Sequence, residues 1–279
     1  MTTQQVPSIE QIRGAWNGIA DGFDQFVTPE TMVLGKEVVR RLGLRPGTRL
    51  LDVAAGSGAL SIPAARIGAD VVATDLAPAM IERLNARARA EGLSTVLGRT
   101  MDGHALDLDD DAFDVAVSVN GVSLFPDMAR GLAELARVTR PGGRVVIVAL
   151  GPIEKVEFIV FFTSAVQAAI PDVTPLPTNP PPLPFQAADP EVLRERMTTA
   201  GLREVRIDTI TWEMAFDSVQ HLWQVFTASN PIGAQMVAGL SGEQRAEVTH
   251  VLEGMLRERS AGAPGAVLRA EVNVGIGTV

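Results

Sequence analysis

The chain has 279 residues, 46% hydrophobic and 20% charged, which excludes fibrous and disordered classes and leaves enough apolar material for a substantial core. Its 33 acidic residues outnumber 24 basic ones, for a net charge of -9, so the overall field repels nucleic acid and anionic lipid and favours a small-molecule partner. The absence of cysteine excludes disulfides, thiolate metal sites and cysteine nucleophiles; with only three histidines no metal is expected, and the absence of tyrosine removes phenol chemistry.

Residues 1–16 carry no basic segment followed by an apolar run, so no secretory signal is expected and the cytoplasm is the default compartment. The longest apolar stretch, 156–170, contains Glu157 and falls short of the roughly 20 residues of a membrane span. Ser8 and Gln11 have capping-box spacing, and Ile9, Ile12, Trp16, Ile19 and Phe23 recur with helical period, predicting a first amphipathic helix. Thr28 and Pro29 read as the cap and first-turn proline of a second helix that ends at Leu42, before Gly43.

From 48 to 151, apolar runs at 49–54, 70–75, 96–101, 113–119 and 144–150 alternate with helical patterns at 59–67, 78–91 and 128–138. That alternation predicts βαβ units and a parallel sheet whose strands are apolar on both faces. Beyond it come an apolar helix at 154–170 and a stretch, 171–184, in which seven of fourteen residues are proline, predicting extended polyproline-like structure. A helix from Pro190 to Gly201 and a strand at 203–216 follow, the strand slipping its apolar phase between Ile207 and Ile210 as a β-bulge would. A helical stretch spans 218–260, and the alternation of Leu268, Ala270, Val272, Val274 and Ile276 predicts a last strand antiparallel to 203–216. The expected fold class is therefore α/β: a Rossmann-like, seven-stranded, mostly parallel sheet with helices on both faces, an antiparallel last strand and helical insertions forming a lid. The expected divisions are N-terminal helices at 1–47, a ligand-binding core at 48–151, a helical and proline-rich insertion at 152–188, a core helix and strand at 189–216, a helical lid at 217–263 and a final strand at 264–279.

Ligands of such sheets sit at the carboxyl ends of the strands. There Asp52-Val53-Ala54-Ala55-Gly56-Ser57-Gly58 runs from a strand into a glycine turn and a helix. The third glycine of a dinucleotide fingerprint is replaced by Ser61, and Asp52 beside the turn would repel a pyrophosphate while suiting an ammonium group. Asp75, ending the second strand, is placed to accept two ribose hydroxyls, and Met101-Asp102-Gly103 after the third strand offers a carboxylate to an adenine amine. Ammonium, ribose and adenine sites at successive strand ends describe one ligand, S-adenosylmethionine (SAM).

The motifs LDVAAGSGAL at 51–60, VVATDLAPAM at 71–80, MDGHALDLDDDAFDVAVS at 101–118 and RVTRPGGRVVIV at 137–148 resemble the class I SAM-dependent methyltransferases, in particular the type 11 and UbiE/COQ5-like small-molecule branch. The resemblance implies a cofactor set of Asp52, Ala54, Gly56, Ser57, Gly58, Asp75, Leu76, Met80, Met101, Asp102, Gly103 and Asn120. In that set Gly56, Gly58 and Asn120 would flank the methionine portion, Asp75 the ribose, and Asp102 with Gly103 the adenine. Many relatives carry a hydroxylated aromatic residue where this chain has Phe23 and Phe26, and relatives that methylate arsenic use cysteines that this chain lacks.

His221 is the candidate acceptor base, because the chain has few groups that titrate near neutrality. His104 reads as a structural partner, His250 as part of a solvated helix face, and the run Asp107, Asp109, Asp110, Asp111 as a surface turn. Trp16, Phe23, Phe158, Phe162 and Trp223 are the candidate acceptor pocket, which points to a small apolar or aromatic acceptor; packing in a homodimer is the alternative use of Phe158, Phe161 and Phe162. Methyl transfer by in-line displacement leads, ahead of a non-methylating reaction such as cyclisation at the same SAM site, and of a nicotinamide-dependent oxidoreductase.

Overall fold

In a computed structural model, residues 8–170, 173, 181–229 and 231–279 are described. Seven strands, β1 (Arg49–Val53), β2 (Asp70–Asp75), β3 (Val96–Thr100), β4 (Phe113–Val119), β5 (Thr139–Leu150), β6 (Arg203–Phe216) and β7 (Ala266–Thr278), form one sheet in the order β3-β2-β1-β4-β5-β7-β6. The pairs from β3 through to β5 are parallel, and β7 lies antiparallel between β5 and β6. The strand order reverses between β1 and β4, the point at which such sheets open a crevice.

Alternation within β1 explains why both faces are apolar. Leu50, with Val115, Val117, Val146 and Val148, packs into one layer, while Leu51 and Val53, with Ala116, Val145 and Ile147, pack into the other. The second layer is completed by α5 (Met128–Val138) and α7 (Pro190–Thr199) through Leu132, Leu135, Leu193 and Met197. The first is completed by α2 (Thr28–Leu42), α3 (Ser61–Arg66), α6 (Glu157–Ala169), α8 (Val219–Ser229) and α10 (Gly242–Arg259). Helices α1 (Ile9–Gly22), α4 (Pro78–Ala90) and α9 (Pro231–Ala238) are the other α-helices among the described residues.

The capping box at α1 forms in both directions: the Gln11 N–H donates to Ser8 Oγ and the Ser8 N–H to Gln11 Oε1. The second expected helix does run from Thr28 to Leu42 with Pro29 in its first turn, but the expected cap at Thr28 is absent. The chain passes from α1 to α2 through one π-helical turn, Phe23–Val27, in which the Thr28 N–H reaches back five residues to the Phe23 carbonyl. Thr28 is helical rather than a cap, and its hydroxyl donates to the same carbonyl. Pro29 is tolerated because the widened turn accommodates the backbone bond it cannot donate.

The β-bulge expected between Ile207 and Ile210 is also absent, since pairing with β7 is continuous from Arg206 to Phe216 and the register shifts earlier, between Arg203 and Arg206. The apolar phase changes because the covered face changes: Val205 and Ile207 pack with the α7 layer, whereas Ile210, Trp212, Met214 and Phe216 pack with the opposite layer. Most of 171–184 lies outside the described residues, so the polyproline expectation there is not addressed.

Candidate functional site

One cavity opens along the carboxyl edge of the sheet at the β1/β4 reversal. Its strand-edge wall is Asp52, Ala54 and Gly56 at and after the end of β1, Asp75 and Leu76 at the end of β2, Met101, Asp102, Gly103 and His104 after β3, and Asn120 after β4; Met80 of α4 adds to it. Its cap is Trp16 of α1, Phe23 of the π turn, Glu30 and Thr31 of α2, Phe158 and Ile159 of α6, Trp212 and Met214 of β6, and Val225 and Ser229 of α8.

The strand-edge wall is shaped by backbone geometry. Ala54 and Asn120 have φ of 57° and 50°, a left-handed conformation unusual for residues with side chains, and Gly56 follows at 54°. At Gly56 a Cβ would come 3.0 Å from Cε1 of Phe23, so the bare backbone admits the π-turn aromatic against the motif.

Asp75 accepts the Gly56 N–H on Oδ2 and the Ala77 N–H on Oδ1, both at 2.9 Å, which ties the glycine turn to the end of β2. Each oxygen keeps a lone pair for a hydroxyl. Burial raises the Asp75 pKa against the pull of these N–H bonds. Asp52 is 1% exposed and accepts 2.6 Å from Ser61 Oγ; burial, reinforced by the nearby Asp75 charge, pushes it up to about 7. Asp102 Oδ1 takes both the backbone N–H of His104, at 2.9 Å, and its Nδ1, at 2.8 Å, leaving Oδ2 for a ligand donor. Burial acts to raise Asp102, but those bonds hold it below the usual carboxylate value. The His104 ring lies 4.5 Å from that of Phe125, so the sequence reading of His104 as a structural partner matches its place, though it also lines the cavity.

Two buried polar atoms of the lining lack partners among the described residues, Asn120 Oδ1 and Trp212 Nε1. An unpaired buried acceptor or donor is costly, and a polar ligand would relieve it. The donor set therefore fits SAM: a buried carboxylate for its ammonium, a tethered carboxylate for its ribose and a free carboxylate oxygen for its adenine amine.

Not every expected residue faces this cavity. Ser57 is fully buried beneath it, its hydroxyl bonded to that of Thr28, and Gly58 packs against Ile62 and Leu84, where a Cβ would come within 3.0 and 3.2 Å. Phe162 is fully buried, stacked 3.7 Å from Phe226 and 5.2 Å from Trp223, so Phe162 and Trp223 are the packing of the cap rather than its lining. Phe158 and Phe162 are buried within the chain, whereas Phe161 is only partly buried. His221 stands outside the lining too, with Nε2 3.9 Å from Oε1 of Glu30, which does line it. Sequence reasoning missed Glu30, Thr31, Trp212 and Met214. They lie in elements remote from the motifs, and no local pattern distinguishes them.

Among the described residues no helix is long and apolar enough to cross a membrane. Residues 51–147 match the family model described as a methyltransferase domain. A protein of Mycobacterium tuberculosis with no assigned function is 45% identical over 115 residues, 41% of this chain and 42% of that protein, so the matched stretch spans about two fifths of such relatives. A demethylmenaquinone methyltransferase of Corynebacterium kroppenstedtii is 30% identical over 177 residues, 61% of this chain and 74% of that protein. Among solved structures, that of the [4+2]-cyclase SpnF covers 98% of this chain and 97% of its own at a TM-score of 0.60 and 17% identity. A Haemonchus contortus phosphoethanolamine N-methyltransferase in complex with SAM covers 88% and 52% at 0.54 and 16%. These structural likenesses concern the fold, whereas the family model and the relatives carry the kinship: the chain belongs to the class I SAM-dependent methyltransferases.

Proposed function

We propose that the protein moves a methyl group from SAM to a small apolar or aromatic acceptor at an oxygen, nitrogen or carbon atom. The observation that carries this reading is a single cavity with a polar strand-edge wall, fitted to SAM, facing an apolar cap of Trp16, Phe23, Phe158, Trp212 and Met214. SAM, when bound, supplies a methyl group already activated by a positively charged sulfur. The chain's residues have to hold donor and acceptor in line and exclude water. Asp52 holds the ammonium, Asp75 the ribose, Asp102 with Gly103 the adenine, and Leu76, Met80 and Met101 pack around them. Phe23 and Trp16, 6.1 Å apart and edge-on, close the cap over the glycine turn. Trp212 Nε1–H is a donor for an acceptor oxygen.

Calorimetric titration with SAM, with NADH as control and Asp52→Ala alongside, tests the binding half. Saturable SAM binding weakened by the substitution supports it, whereas a response to NADH alone refutes it. The transfer half is tested by S-adenosylhomocysteine formed in proportion to methylated product. Demethylmenaquinone is the first acceptor to test, because two relatives are named for it. SAM binding combined with a product that forms without S-adenosylhomocysteine would favour a cyclisation-type reaction instead.

A further inference from the structure

A file of three ionisable side chains leads from the cavity to solvent. Glu30, in the first turn of α2, lines the cavity, and its side chain is 19% exposed. Behind it stands His221 on α8, its Nε2 3.9 Å from Glu30 Oε1 and its Nδ1 3.4 Å from Asp217 Oδ1. Asp217 is 85% exposed, so the file ends in water. His221 is held edge-on by Phe216 at 5.5 Å, and its Nδ1 is buried with no hydrogen-bond partner among the described residues. A half-buried imidazole with a carboxylate on each side can take a proton at one nitrogen and release one from the other. The gaps exceed hydrogen-bond length, as is common for catalytic groups before substrate binds. Burial raises the Glu30 pKa, while His221 lowers it and Asp217 raises it; these are the two charged neighbours that act on it.

Resting on the methyltransferase reading above, we propose that Glu30 is the base that takes the acceptor's proton and that His221 is a positioning residue that passes it towards Asp217 and water. The acceptor class follows: its reacting atom X carries a proton, as in a hydroxyl, an amine or an acidic carbon. The X–H proton goes to a Glu30 carboxylate oxygen, the X electron pair forms the bond to the methyl carbon, and the pair of the broken carbon–sulfur bond stays on sulfur. Glu30 then returns to its ionised state by giving the proton to His221 Nε2 as Nδ1 releases one outwards. The sequence reading chose His221 for its chemistry; the geometry moves the contact with substrate to Glu30.

The deciding experiment is a pH titration of the His221 ring resonances by NMR, assigned with His221→Phe in a chain that has only three histidines. The wild-type curve should show a second inflection from Glu30, above the ordinary carboxylate range, that vanishes in Glu30→Gln. A single inflection, the same in both proteins, overturns the proposal. In parallel, S-adenosylhomocysteine formation is followed with 4-methylphenol, 1-naphthol and aniline as probe acceptors. Glu30→Gln should lower kcat at least about ten-fold and flatten its pH profile with SAM affinity unchanged. His221→Asn should lower kcat less and Asp217→Asn least, because water can replace an exposed carboxylate. Unchanged turnover in Glu30→Gln also overturns the proposal. Failure of wild-type protein to bind SAM would instead refute the methyltransferase reading, so the two failures are distinct.

Discussion

The two walls of the cavity are held by different physics. Along the strand edge, position comes from backbone: a left-handed Ala54, a glycine turn clamped by Asp75, and an Asn120 forced to positive φ. In the cap, position comes from side-chain packing, with Phe162 stacked on Phe226 and flanked by Trp223. Hydrogen-bonded backbone tolerates little variation and so leaves a short, readable motif. A packed aromatic cluster tolerates many solutions of similar volume and leaves almost none.

If that contrast holds, Phe162→Ala should cost about 3–5 kcal/mol in urea unfolding, the largest effect in the set, because a fully buried ring and its stacking contact with Phe226 are lost together. A loss below about 1 kcal/mol would mean that the cap does not depend on its stack. Gly35→Ala tests where the walls meet. Its Cβ would lie 2.2 Å from the Ala59 carbonyl oxygen, so α2 must back away from the motif, costing about 3 kcal/mol and weakening SAM binding at the same time. Asp75→Ala should weaken SAM by about 100-fold in calorimetry, since two backbone N–H groups lose their acceptor along with the ribose contact.

Asp52→Asn should have the smallest effect on affinity, about ten-fold, but a diagnostic pH dependence. Folded Asp52 holds its proton up to about 7 against an ordinary 3.8, so the ligand-free protein's stability is greatest below the lower value and falls as pH rises through the higher one. The variant should lack that slope in thermal melts taken across pH. A bound ammonium favours the ionised carboxylate, so wild-type SAM affinity should rise between about pH 6 and 8 with proton release. Calorimetry in two buffers of different ionisation enthalpy measures both, and a pH-independent wild-type affinity would separate Asp52 from the ammonium.

Legibility followed the same division. The sheet and most of the strand-edge wall were readable because Asp52, Asp75 and Asp102 each sit next to the strand that positions them. Ser57 and Gly58 share that motif yet support the turn from beneath, a distinction that depends on three-dimensional orientation alone. The cap expected at Thr28 is missing because the two helices are continuous, and only the reach of the Thr28 N–H to Phe23 reveals that continuity. The phase slip in β6 looked like a bulge because one strand serves two layers in succession. Glu30 and Trp212 lie far apart in the chain and become neighbours only around the cavity.

The placement of β7 bears on the order in which the chain can assemble as it is synthesised. β2, β3 and β5 each pair with a strand already made shortly before or beside it, and β4 docks on a β1 that has already emerged. β6 pairs only with β7, which also carries the bond ladder to β5, so β6 must wait for a strand made 50 residues after its own end. Until then β5 has one open side and the cap helices α8 to α10, which lie between β6 and β7 in the chain, have no completed surface on which to settle. Completion of the cap is thereby tied to the arrival of β7, whereas the strand-edge wall can form before that strand is made.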